Sequence, residues 1–187
     1  MTKAKPPQVY QLKITLKGIE PPVWRRVQVA DCSLYELHCV IQKSLEWDDS
    51  HLWLFTIGGA RYGDPSMDDD LDAAEFQLSE FVKSRVKKIS YLYDFGDDWD
   101  HFIQIEKSVD ADPLVQYPRC VAGERAGPPE DCGGPWGYGD FVDALQDPHH
   151  GRHDEIMEWF GASFDAEAFD LAAINKRLAP PKPKRKK

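Results

Sequence analysis

Residues 88–107 read KISYLYDFGDDWDHFIQIEK. Two runs of strand-forming residues, Lys88 to Phe95 and Trp99 to Lys107, flank Gly96-Asp97-Asp98, whose residue types favour a turn. The stretch is therefore a β-hairpin. Strand parity gives Trp99, His101, Ile103 and Ile105 one face, and Asp100, Phe102, Gln104 and Glu106 the other. The hairpin thus aims a histidine at apolar neighbours and gathers Asp94, Asp97 and Asp98 near its turn.

N-terminal to it, Val9 to Lys17 alternates cleanly, with Tyr10, Leu12, Ile14 and Leu16 on one side. Gly18 to Pro22 breaks the run and Val23 to Val29 resumes it, which predicts a first hairpin. Ser33-Leu34-Tyr35-Glu36 is a capping box opening a helix, with Leu34, Leu37, Ile41 and Leu45 as its apolar stripe. Trp47 to Ser50 ends that helix. His51 to Ile57 carries apolar residues on both faces, which suits a central strand stopped by Gly58-Gly59. Residues 64–75 form an acidic loop. Asp64, Ser66, Asp68 and Glu75 fall at calcium-loop offsets, but Asp69 stands where the EF-hand needs glycine, so a solvated loop is expected. Leu78 to Val82 suits a short helix.

C-terminal to the hairpin, residues 108–139 are rich in Pro and Gly and lack periodicity, so a long ordered loop is expected. Three helices follow: Phe141 to Gln146 capped by Asp140, 154–160 closed by Gly161, and one from Asp165 to about Leu178. The predicted fold class is α+β. Two β-hairpins plus a central strand form a mixed sheet with one packed helix, followed by the long loop and the C-terminal helices. Residues 1–8 read as a flexible arm, 9–178 as a single domain and 179–187 as a basic disordered tail.

The 187 residues carry a formal charge of −9, although five of the last six, from Lys182 to Lys187, are basic. A body this acidic repels phosphate backbones and anionic membranes unless its cations cluster. The tail is the segment suited to weak contact with nucleic acid or an acidic partner. No run approaches a membrane span, and no apolar stretch follows Met1 to Pro7. Cys32, Cys39, Cys120 and Cys132 form no CxxC pair and are expected as reduced thiols, which places the chain in the cytoplasm.

Several residues carry possible chemistry. His101 near a carboxylate suits a base or a metal ligand, against the plainer alternative of a core histidine. Pro128-Pro129-Glu130-Asp131-Cys132-Gly133-Gly134 sets two carboxylates and a thiol between stiff and permissive backbone. Glu130 or Asp131 is the candidate general base. Nothing local lowers the Cys132 pKa, so thiol catalysis is not expected. His150 and His153 lie at i,i+3 and, with His101 and Cys132, form a candidate set for a divalent metal such as zinc. Arg25 shares a face with Val23 and Val27, and Asp94 or Glu106 is its expected partner. Arg26 and Trp99 complete the candidate binding residues.

Taken together, Tyr10-Gln11-Leu12-Lys13-Ile14, Pro21-Pro22-Val23-Trp24-Arg25-Arg26, Leu37-His38, Ile41-Gln42, Ser50-His51-Leu52 and Tyr93-Asp94-Phe95-Gly96-Asp97 form an ordered series. Tyr117-Pro118-Arg119-Cys120, the 128–134 motif, Asp147-Pro148 and Phe164-Asp165 continue it. The series resembles the plasmid pRiA4b ORF-3-like family, which includes TnpR-like passenger proteins of bacterial insertion sequences. The resemblance covers residues 9–178. It implies an α+β fold, a bacterial or archaeal source and residence on mobile elements, but no reaction. The chain departs from the family in having Glu46 for the usual glycine before Trp47. It also has Trp53 where a second histidine often follows His51.

The leading functional expectation is a non-catalytic binding or accessory domain. Its pocket would lie between the second hairpin, the 117–136 loop and the 147–153 loop. The runner-up is a metal-dependent hydrolase or nuclease-like enzyme using Asp94, His101, Cys132, His150 and His153. The third is a nucleic-acid-associated protein using its tail.

Overall fold

A computed structural model describes residues 7–64, 66–67, 70–161 and 163–180. The arm up to Pro6, the tail from Pro181 and Asp68-Asp69 of the acidic loop lie outside the described residues.

The chain runs β1 (Gln8–Leu16), β2 (Trp24–Ala30), α1 (Leu34–Leu45), β3 (Trp53–Ile57), β4 (Ala60–Gly63), β5 (Leu71–Asp72), α2 (Leu78–Lys83), β6 (Lys88–Tyr93), β7 (Trp99–Asp110), β8 (Arg119–Glu124), α3 (Gly134–Gln146), α4 (His153–Phe160) and α5 (Leu171–Leu178). All eight strands join one sheet in the order β5-β4-β3-β6-β7-β1-β2-β8. Among the described residues only β4 and β5 pair in parallel, so the sheet is mixed and the predicted α+β class stands.

The two expected hairpins are β1–β2 and β6–β7, joined by antiparallel pairing of β1 with β7. Parity holds along β7, where Trp99, His101, Ile103 and Ile105 are all buried. Leu12, Ile14, Val27, Phe55, Tyr91 and Ile103 share one core with Leu34, Leu37, Ile41 and Leu45 of α1. The hydrophobic face of that helix is thereby removed from water, and its tertiary packing rather than its propensity holds it. Its start is the predicted capping box: Glu36 N–H donates to Ser33 Oγ at 3.1 Å, and Ser33 N–H to Glu36 Oε2 at 2.8 Å. Such a cap contributes about 1 kcal/mol. The helix ends with Glu46 in the left-handed region, φ 67°.

Several boundaries differ from the expectation. Gly58 and Gly59, both at positive φ, make a two-residue turn into β4 rather than a stop. The stretch 108–139 is not one loop: β7 extends to Asp110, β8 adds an edge strand, and α3 begins at Gly134, ahead of Asp140. Pro135 fits that first turn because its missing N–H has no intrahelical partner there. α5 is capped by Asp170, whose Oδ1 accepts from Ala172 and Ala173 N–H at 2.9 Å. Asp165 instead makes a local turn with Glu167 N–H. Asn175 on α5 covers the β8 edge, donating to Cys120 O and accepting from Cys120 N–H, each at 2.9 Å. Those backbone groups would otherwise be left open on an edge strand.

Candidate functional site

In the β3–β6 register Trp53 lies opposite Tyr93. The residues just before β3 and just after β6 therefore meet at one end of the sheet. There Asp94 N–H donates to Leu52 O at 2.9 Å, which sets His51 beside Asp94. Asp94 sits at φ 57°, a conformation Asp tolerates when its side chain bonds nearby backbone. Its Oδ1 accepts from Gly96 and Asp97 N–H at 2.9 and 3.3 Å. Its Oδ2 is turned to His51 Nδ1 at 3.6 Å.

The 127–134 segment closes the site. Gly127 packs on Leu45 O and Gly134 on Asp97 O so tightly that a Cβ at either position would overlap the carbonyl. Gly133 N–H donates to Asp97 Oδ2 at 3.1 Å. Trp47 Nε1–H reaches Pro128 O at 2.7 Å, and Asp48 N–H reaches Glu130 Oε2 at 2.8 Å. The Tyr93 hydroxyl donates to Glu130 Oε1. Burial, then Glu130, push the Tyr93 pKa up, so the phenol keeps the proton it donates. This docking leaves Asp131, at φ 60°, with Oδ1 3.3 Å from His51 Nε2.

His51 is thus bracketed by two carboxylates. Side-chain exposure rises from 11% at Asp94 to 26% at His51 and 64% at Asp131, so the cluster opens to solvent on the Asp131 side. His51 Nε2 is buried and makes no hydrogen bond: the approach to Asp131 has ion-pair distance but not hydrogen-bond direction. One donor atom from each of His51, Asp94 and Asp131 lies within 4.8 Å of the others. A nitrogen and two carboxylate oxygens suit a borderline or hard divalent ion, with zinc–ligand distances of about 2.0–2.2 Å.

The segment that carries His51 is held at nearly every other residue. Besides the Trp47, Asp48 and Leu52 bonds, Ser50 N–H donates to Tyr93 Oη at 2.9 Å. Asp49 Oδ1 lies 2.8 Å from His38 Nε2. His38 is buried, stacks on Trp53 at 4.1 Å, and has Nδ1 2.7 Å from Tyr91 Oη. Gln42 Nε2–H also donates to Tyr91 Oη, at 3.0 Å. One arrangement of protons fits all three contacts: His38 carries its hydrogen on Nε2 for Asp49, and Tyr91 donates to the bare Nδ1. Burial holds the His38 pKa down, which keeps the ring neutral.

The metal set expected from sequence is not assembled. Among the described residues the His51, Asp94 and Asp131 group alone is close enough to share an ion. His101 is fully buried, with Nδ1 3.3 Å from Tyr91 O and its ring edge-on to Trp47. Burial lowers its pKa to about 4, so it is a neutral core residue. His150 Nε2 lies 3.3 Å from Asp140 Oδ1, and His153 Nδ1 2.7 Å from Ala144 O. Both histidines serve the α3–α4 junction.

Cys132 lines a depression of about 340 Å3 with Asp131, Arg152, Ile156 and Trp159. The hairpin-side loop and the start of α4 therefore do meet, though not through His150 or His153. Burial, more than Asp97 and Asp131, raises the Cys132 thiol to about 12. Both Glu130 oxygens are engaged, which leaves no free base there. Asp131 is the one residue of the candidate base pair within the cluster.

Asp97 anchors the loop, Asp98 is a turn residue at φ 56°, and Trp99 is core. Arg25 is buried but has neither expected carboxylate. It donates instead to Ser44, Trp24 and Glu124 carbonyls, each at 2.9 Å, because α1 and β8 close over it. Glu106 pairs with Arg26 through two 2.8 Å bonds.

In sequence His51 reads as the start of the central strand and as part of a family motif, not as a site residue, whereas the strand begins at Trp53. The usable signal was positional: a histidine two residues before a strand whose antiparallel neighbour ends in Tyr93-Asp94.

Fold and cluster together define an α+β fold with a histidine–carboxylate cluster at one sheet end. The chain belongs to the plasmid pRiA4b ORF-3-like protein family, whose profile matches residues 8–173. It is similar to uncharacterized protein y4hQ of Sinorhizobium fredii (strain NBRC 101917 / NGR234), 41% identical over 176 residues, covering 91% of this chain and 90% of the relative. Among solved structures it is similar to a protein of unknown function, MM3350, from Methanosarcina mazei Go1. That match has TM-score 0.83 and 36% identity, covering 92% of this chain and 98% of the other. No helix among the described residues is long and apolar enough to cross a membrane.

Proposed function

We propose that this chain is a non-catalytic binding domain that takes a divalent cation, zinc or manganese in class, between His51, Asp94 and Asp131. The observation that carries the reading is His51 itself. Its Nε2 is buried and unbonded with Asp131 Oδ1 3.3 Å away, Asp94 Oδ2 faces its Nδ1 at 3.6 Å, and the segment's neighbours are tied down. A cation held by a ring nitrogen would have a carboxylate oxygen of Asp94 and of Asp131 close enough to share it, since the three donor atoms lie within 4.8 Å of one another. Three protein ligands leave coordination positions for a further ligand or partner. A link to mobile elements comes from the family resemblance alone.

A binding rather than a catalytic role is favoured because the Glu130 oxygens are occupied by Tyr93 and Asp48. One observation favours the second reading, a metal-dependent hydrolase: Asp131 is largely exposed and leaves room for a metal-bound water.

Calorimetric titration of untagged, chelator-treated protein with zinc and then manganese chloride tests the proposal. One ion per chain is expected, with binding abolished by His51→Ala. Absence of binding by either ion below about 1 mM, or an unaltered His51→Ala, overturns it. Hydrolysis of a phosphodiester or ester probe that needs the metal and His51 would promote the second reading over the first.

A further inference from the structure

We infer that the Tyr93 hydroxyl is the positioning group of this centre, joining the three chain segments that supply its ligands; this rests on the metal reading above. The residue ahead of each ligand is an anchor. Ser50 precedes His51, Tyr93 precedes Asp94 and Glu130 precedes Asp131. The three anchors meet at one oxygen. Ser50 N–H donates to Tyr93 Oη at 2.9 Å, and that hydroxyl donates its own hydrogen to Glu130 Oε1.

The ring beneath is fixed. Tyr93 is fully buried, stacks on Trp47 at 4.9 Å and meets the His51 ring nearly edge-on at 5.7 Å. Trp47 is in turn bound to Pro128 at the start of the closing segment. The segments come from three separate parts of the chain, so nothing in local sequence sets their spacing. A hydroxyl that accepts from one and donates to another fixes them to within the length of two hydrogen bonds. Outer-shell groups of this kind set ligand geometry, and their loss weakens metal binding about 10–100-fold.

The test compares wild type, Tyr93→Phe, Glu130→Ala, Glu130→Gln and the Tyr93→Phe/Glu130→Ala pair by zinc titration and by amide hydrogen exchange. Phenylalanine keeps the packed ring and removes only the hydroxyl. Tyr93→Phe is expected to raise the zinc Kd by about 10–100-fold. Glu130→Ala should do the same, and Glu130→Gln, which retains an acceptor for Tyr93, should recover part of the loss. The pair should cost less than the sum of the single changes, because the Tyr93–Glu130 bond is lost in both. A merely structural role would lower Tm in every variant and leave Kd alone.

A wild type that binds zinc while Tyr93→Phe binds it equally well overturns the inference, as do single losses that add in the pair. A wild type that binds no metal overturns the metal reading instead, and exchange then judges the hydroxyl. Faster exchange in 47–52 and 127–134 together upholds its role in Tyr93→Phe. Unchanged exchange ends it.

Discussion

Gly134 rests on the carbonyl of Asp97, so close that no β-carbon fits between them. With Gly134 at φ +66°, the position excludes side chains for two reasons, space and backbone conformation. This contact brings a segment more than thirty residues distant onto the β6–β7 turn, and with it Asp131 onto His51. Gly134→Ala should therefore lower stability by ~2 kcal/mol or more and weaken zinc binding in parallel. Urea denaturation and zinc titration check the two effects. A variant with normal stability and normal affinity would show that the segment is not clamped here.

His150 and His153 supply the counter-test. Both lie outside the cluster, tied to Asp140 and to the Ala144 carbonyl. The His150→Ala/His153→Ala double variant should lose about 1 kcal/mol of stability and retain zinc affinity within about twofold. Loss of the metal in this variant, with His51→Ala unaffected, would restore the site expected from sequence.

Acid should destabilise the fold through its buried histidines. An unfolded histidine titrates near 6.5, whereas burial holds His101 down to about 4. Between these values the unfolded chain binds a proton that the folded chain refuses. Stability is then full above about 6.5 and falls as pH descends toward 4, with His101 contributing on the order of 3 kcal/mol at the lower limit. His38, whose pKa is also lowered by burial, acts with the same sign. His101→Asn, which keeps a donor for the Tyr91 carbonyl, should flatten the decline of the urea midpoint between about pH 7 and 5. Parallel declines in wild type and variant would assign the acid sensitivity elsewhere.

Arg25 offers a stability test independent of the cluster. It is 1% exposed and binds three carbonyls with no carboxylate at ion-pair distance among the described residues, while its guanidinium lies over Phe169 at 5.1 Å. Burial lowers its pKa to about 10, so it stays charged at neutral pH. Arg25→Met should cost about 2–3 kcal/mol by orphaning buried carbonyls. Arg25→Lys should not recover it, since an ammonium lacks the planar fork that reaches all three. A methionine variant as stable as wild type, by urea denaturation, would contradict this.

The parts of the fold that sequence disclosed are those with local periodicity. Alternation in 9–17, 23–29 and 88–107 placed four strands and gave His101 its correct face. The Ser33–Glu36 capping box placed the start of α1. What stayed hidden depends on distant partners. Strand β8 carries no apolar alternation in sequence, and its edge is closed by Asn175 of α5, a contact no short window contains. The start of α3 was masked by Gly133, Gly134 and Pro135, whose roles are docking and first-turn geometry. For the cluster, Asp94 and Asp131 were legible as polar residues in turn chemistry. His51 was not, because its environment is built by the β3–β6 register and the Tyr93–Glu130 bond rather than by its neighbours in sequence.

Anomalous diffraction from a crystal soaked in manganese or zinc would locate the ion at the three clustered residues. One peak is expected, bounded by His51, Asp94 and Asp131, about 2.0–2.3 Å from each donor atom. A peak beside His150 and Asp140, or none beside His51 with Asp94 and Asp131 well ordered, would contradict this.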